Sequence, residues 1–166
     1  MIGRLLDLAY GAVPAEFESA FGLEESIERL AAATERSIPY AYPHEAAVGR
    51  VSEKRVWLRR ANPRAGNSFK PFYIGRFRKV GRRVVLSGRF APALFPKLFM
   101  TLWLGLCLAW TATVMVYARE WWAPAVGAAL FAFGVAMVLI GKRTGRADIP
   151  WLSEVIRNAL SGGWVR

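Results

Sequence analysis

Two runs of about 20 residues, 98–117 and 121–140, hold no charged side chain. At 1.5 Å per residue a helix of that length covers the ~30 Å hydrocarbon core of a bilayer. Only Ala118, Arg119 and Glu120 lie between the runs, so the second helix must turn straight back beside the first as a transmembrane hairpin. The rest of the chain then sits on one side of the membrane.

Outside the hairpin the pattern is that of a small α+β domain. Phe17 alternates with Glu16 and Glu18 across 15–21, as in a half-exposed strand ended by Gly22. Leu23, Ile27, Leu30 and Thr34 then recur at helical spacing with Glu24, Glu25, Glu28 and Arg29 turned away, predicting an amphipathic helix over 23–35 with acids in its first turn. After a loop bounded by Pro39 and Pro43, short strands are expected at 47–52 and 54–60, followed by a turn across 61–68 rich in Asn, Pro and Gly. Phe69, Tyr73, Gly75 and Phe77 share one face of the next strand, with Lys70, Arg76 and Arg78 on the other. Gly81 closes a hairpin into 83–90, where Val84, Leu86, Gly88 and Phe90 alternate with Val85, Ser87 and Arg89. These strands make an antiparallel β-meander with one apolar and one cationic face.

Beyond the hairpin, 141–147 reads as a basic linker and Asp148 as an N-cap with Pro150 in the first turn. Trp151, Leu152, Val155, Ile156, Ala159 and Leu160 line one side of a helix that Gly162 and Gly163 end. Its scarcity of cations favours burial on the sheet over the bilayer interface. The chain thus divides into an N-terminal segment (1–14), a cytoplasmic α+β domain (15–97), the transmembrane hairpin (98–140), and the linker with a returning C-terminal helix (141–166). Within the first segment, Ile2, Leu5, Leu6 and Ala9 suit a short amphipathic helix.

Charge sharpens this picture. The formal net charge is +11, yet residues 1–49 carry three Arg against eight acids, while 50–97 carry fourteen Lys or Arg against Glu53 alone. Arg82, Arg83, Arg89 and Lys97 precede the first membrane helix, Lys142, Arg143 and Arg146 follow the second, and the turn offers Arg119 beside Glu120. The cation-rich side is the cytoplasmic one, which places both termini in the cytoplasm of a bacterial inner (plasma) membrane. Tyr117, Trp121 and Trp122 mark the outer boundary. No signal-peptide core opens the chain, so no cleavage is expected, and Ile2 stands where myristoylation needs Gly.

Several signals could carry function. The cations Arg76, Arg78, Lys79, Arg82, Arg83, Arg89, Lys97, Lys142 and Arg143 suit anionic lipid headgroups or an acidic partner protein. Aromatics interleave with cations in 69–79, but the Gly and aromatic positions of an RNA-recognition-motif signature do not fit, and nucleic acid is not expected. Small residues recur along the first membrane helix at Thr101, Gly105, Ala109 and Thr113, and along the second at Ala123, Gly127, Gly134 and Gly141. The two stripes are expected to face each other within the hairpin; a spare stripe would serve a second copy or another membrane protein. Pro124, in the first turn of its helix, calls for no hinge.

Chemistry has few candidates. His44 is the single histidine and Cys107, in mid-membrane, the single cysteine, so neither a zinc set nor a Cys–His pair can form. No Gly-rich phosphate loop occurs, and no ionisable residue lies in either span. No catalytic residue, cofactor or metal is expected.

The run GRVSEKRVWLRRANPRAGNSFKPFYIGRF (49–77), with a charged hairpin, two spans and a last helix after it, resembles small two-span inner-membrane proteins of bacteria. That resemblance brings no catalytic residues. The order strand, helix, antiparallel strands, terminal helix is also similar to half of a helix-grip fold, in which a curved sheet cups a long helix. That likeness implies an apolar pocket between sheet and C-terminal helix, lined by Tyr73, Phe77, Leu86 and Trp151. The expectation is a non-enzymatic, membrane-anchored module that binds a partner protein or anionic lipid headgroups. The alternatives are an apolar-ligand carrier and an accessory subunit of a membrane enzyme complex.

Overall fold

A computed structural model describes residues 10–36, 44–62, 69–117, 120 and 122–162. The N-terminal helix read in 1–9, the loop with Pro39 and Pro43, most of the 61–68 turn, and the positions of Trp121 and Gly163 lie outside them. Strands β1 (Val13–Ser19), β2 (Glu35–Arg36), β3 (Ala46–Val51), β4 (Val56–Ala61), β5 (Pro71–Val80) and β6 (Arg83–Pro92) form one sheet in the order β1-β6-β5-β4-β3-β2. Every pairing from β1 to β3 is antiparallel, and β2 adds a two-residue parallel rung at Val48 and Gly49. The meander expected over β3 to β6 is present. β1 closes its far edge by pairing with β6, Phe17 opposite Leu86.

Strand alternation decides which side chains meet. Phe17, Leu58, Tyr73, Phe77, Val84, Leu86 and Phe90 fall on one face, and two helices cover it. The first is α1 (Leu23–Ala32), which buries Leu30; Ser26 Oγ bonds the Gly22 carbonyl at 2.6 Å and Ser19 Oγ at 2.7 Å. The expected helix ends three residues early, because the chain enters β2 at Glu35.

The hairpin consists of α2 (Leu94–Tyr117) and α3 (Trp122–Arg146). Both are long and apolar enough to cross a membrane, and only 11% of either apolar window is buried within the protein. They are therefore not core helices of the domain. α3 runs to Arg146, so the stretch expected as a linker is helical, and Ala147 keeps helical angles (φ −64°, ψ −21°) into α4 (Asp148–Ser161). Asp148 makes no cap bond; it lies in the first turn of α4 with its carboxylate on Arg60. Gly162 ends α4 in the left-handed conformation (φ 80°), which glycine adopts at no steric cost. Leu152, Ile156, Ala159 and Leu160 bury on the sheet as expected.

Candidate functional site

With α1 and α4 on one face, the opposite face of the sheet has no helix over it among the described residues. Alternation delivers Trp57 from β4, Phe72, Ile74, Arg76 and Arg78 from β5, and Arg89 from β6 to that side. The Trp57 and Phe72 rings stack at 5.0 Å with planes 23° apart. On the same face Arg76, Arg78 and Arg89 are exposed and Arg59 is half-buried. At the β1 edge of this face Glu16 accepts a bond from Ser87 Oγ (2.8 Å) and Glu18 pairs with Arg83 (3.1 Å). At the β3 side Ala46, Val48 and Ala61 form a small buried cluster, so the exposed part spans β4 to β6.

Beside Trp57 a groove of about 1100 Å³ opens between the end of α1 and the β3–β4 connection. Ala31, Thr34, Gly49, Arg50, Val51, Ser52, Arg55 and Trp57 line it, bringing two cations and no acid. Gly49 is required there: a Cβ would run into the Trp57 carbonyl oxygen across the strand pair. Sequence alone singles out none of Arg50, Arg55 and Trp57, and it has Phe72 only among the aromatics that interleave with cations in 69–79. The alternation that makes Val56 and Leu58 core already turns Trp57 to the other side, but its ring partner depends on the β4–β5 register.

The nine cations expected at lipid or partner separate into groups. β5 meets the hairpin at its first residue, where Pro71 lies against Gly145 of α3. From Pro71 to Val80 the strand runs nine residue steps, about 30 Å. Arg76, Arg78, Lys79, Arg82 and Arg83 therefore lie progressively farther from the helices, although they are close to α2 in sequence. Lys97, in the first turn of α2, is 3% exposed and faces the interior. Arg89, Lys142 and Arg143 stay at the helix end of the domain, and Arg146, in the last turn of α3, joins them.

The residues proposed to line an apolar pocket are core instead. Tyr73 and Leu86 have no exposure and pack with Phe77 in the main cluster, against which Trp151 is half-buried. Tyr73 hydroxyl donates to the Leu86 carbonyl at 3.2 Å. Burial, helped by the negative charge of Glu16, raises its pKa well above the usual tyrosine value.

Within the hairpin the two small-residue stripes do not face each other. Gly127 and Gly134 are buried on α3, where a Cβ would meet the side chains of Thr111 and Leu104, and Gly141 lies against Phe69. On α2 the contact side runs through Met100, Leu104, Cys107 and Thr111, at alternating four- and three-residue steps. Gly105, Ala109 and Thr113 point outward, Gly105 into open space. Small residues on one helix thus receive bulky ones from the other. Thr101 is held instead by Tyr10, whose hydroxyl lies 3.0 Å from its Oγ1.

One polar network lies on the helix-covered side. Arg60 bonds Glu45 (2.7 Å) and Asp148 (3.0 Å) and places its guanidinium over the Trp151 ring at 4.9 Å. Burial alone would lower its pKa; the bond to Glu45 and the charges of Glu45 and Asp148 outweigh it and raise the value. His44 reaches Glu35 at 2.9 Å, both well exposed. Among the described residues no group of three His, Cys, Asp or Glu side chains could hold a metal ion. No protein-family model, curated protein or solved structure matches the chain.

Proposed function

We propose that this chain is a non-enzymatic module, anchored by α2 and α3 in the inner membrane with both termini in the cytoplasm, that docks a partner protein with an acidic surface. One observation carries the reading: the sheet face that no helix covers among the described residues bears the stacked Trp57 and Phe72 together with Arg59, Arg76, Arg78 and Arg89, with the cationic groove at its edge. Aromatic rings and arginines are the residue types that dominate interface energetics, and a cationic patch both attracts an acidic partner and rejects basic ones. The apolar sides of α2 and α3 support the anchor, since exposed rings and leucines such as Phe95, Leu102 and Phe133 need an apolar solvent. The cations at the domain end of both helices support the orientation.

A photo-crosslinking residue in place of Ile74 tests this in native membranes. The expected product is a discrete adduct with one protein, joined at an acidic segment and lost on Arg76→Glu with Arg78→Glu. Adducts with lipid alone, or a protein adduct indifferent to the charge reversal, would overturn the reading. Of the lining residues that the carrier alternative needs, Tyr73, Phe77 and Leu86 belong to the buried core cluster and Trp151 is half-buried against it.

A further inference from the structure

Where the sheet meets the hairpin, a shallow cleft runs between the start of β5, the end of β6 and the last turn of α3. Phe69, Pro71, Phe90 and Pro92 form an apolar floor, and Lys142 and Arg146 stand over it, four residues apart and so on one side of α3. Among the described residues that line it there is no acidic side chain. Gly11 shapes the Tyr10 side, because its backbone is left-handed (φ 76°) and its Cβ position lies only 3.5 Å from Lys142 Cε. The enclosed space, about 20 Å³, admits no more than a water, so any ligand lies across the mouth with its charge on the two cations.

Depth identifies the ligand. On α3, Leu139 and Ile140 are apolar and exposed, and Lys142 follows two residues later. The boundary between hydrocarbon and headgroups therefore passes at Ile140 to Lys142, and Arg146 lies one turn, about 6 Å, farther out. A cation pair at that depth beside an apolar floor fits a glycerophosphate with its acyl chain alongside the hairpin. We infer that the cleft at Lys142 and Arg146 seats the phosphate of an anionic phospholipid, resting on the membrane placement proposed above. The cations of the β5–β6 tip, about 30 Å away along the strands, take no part.

Native mass spectrometry of the full chain, released from detergent with equal amounts of phosphatidylglycerol and phosphatidylcholine, tests the assignment. Two juxtamembrane cations should give a preference for the anionic lipid of roughly thirtyfold. Lys142→Gln with Arg146→Gln should reduce it to about twofold or less, as expected when both charges are gone, while Arg82→Gln with Arg83→Gln should keep it. Should the double glutamine variant unfold, Lys142→Arg with Arg146→Lys must retain the preference. Equal loss in the tip variant, no preference in the unaltered chain, or equal occupancy by inorganic phosphate would each overturn the inference and leave the anchor intact. A chain that stays soluble without detergent would overturn both.

Discussion

Gly49 and Leu58 face each other across β3 and β4, and the Trp57 carbonyl oxygen occupies the space that a side chain at Gly49 would need. No rotamer can relieve a clash of Cβ with backbone. Gly49→Ala is therefore expected to cost about 1–3 kcal/mol, read as a lowered melting temperature in detergent. Tyr73 gives a pH signature. Its phenol ionises later in the folded than in the unfolded chain, so its stabilising effect is complete below the ordinary tyrosine pKa of 10.0 and is lost as pH climbs above it. Melting temperatures taken from neutral to strongly alkaline pH should fall more gently for Tyr73→Phe than for the unaltered chain. In the hairpin, Gly127→Leu should force the helices apart and expose Cys107 to a membrane-permeant maleimide, whereas Gly105→Leu should leave it protected. Spacing alone ranked Gly105 and Gly127 as equals; only the packed partner separates them, because one faces Thr111 and the other faces nothing.

At the level of elements, α4 is the piece whose apolar pattern and placement agree, although Asp148, expected as its cap, lies inside the first turn. Its apolar residues recur at helical spacing, and Leu152 and Ile156 are buried against the sheet. Ile156→Ala should cost about 2–5 kcal/mol in chemical unfolding, the usual range for emptying such a site. The joint before it was misread in the sequence. Lys142, Arg143, Thr144 and Gly145 have a linker's composition, yet Gly141 and Gly145 are where α3 admits Phe69 and Pro71 to close contact, and helix continues through them. Arg60 then ties the first turn of α4 to β4, so α3 and the domain share a pinned joint. Asp148→Asn keeps the shape but removes the charge-assisted bond. A loss of about 1.5–3 kcal/mol is expected, seen as a lower melting temperature and faster amide exchange at the start of α4.

For the whole molecule the informative quantity is the distance between charge and hairpin. Cysteine accessibility in intact cells, on a Cys107→Ser background, measures the proposed placement. Glu120→Cys should react with an impermeant maleimide from outside, and Arg82→Cys only after permeabilisation. The sequence by itself determined the hairpin, since apolar length and absence of charge are local properties that no distant contact alters. It determined the meander and α4 as well, because periods of two and 3.6 are written into consecutive residues. The tertiary structure decided what local pattern cannot hold. β1 pairs with β6 across some seventy residues of chain, the stack of Trp57 on Phe72 depends on strand register, and the contact side of α2 is chosen by what α3 presents. It also decided where the basic segment points. Residues 76–83 adjoin α2 in sequence, but each strand residue advances about 3.3 Å, so β5 and β6 carry those cations away from the helices that follow them.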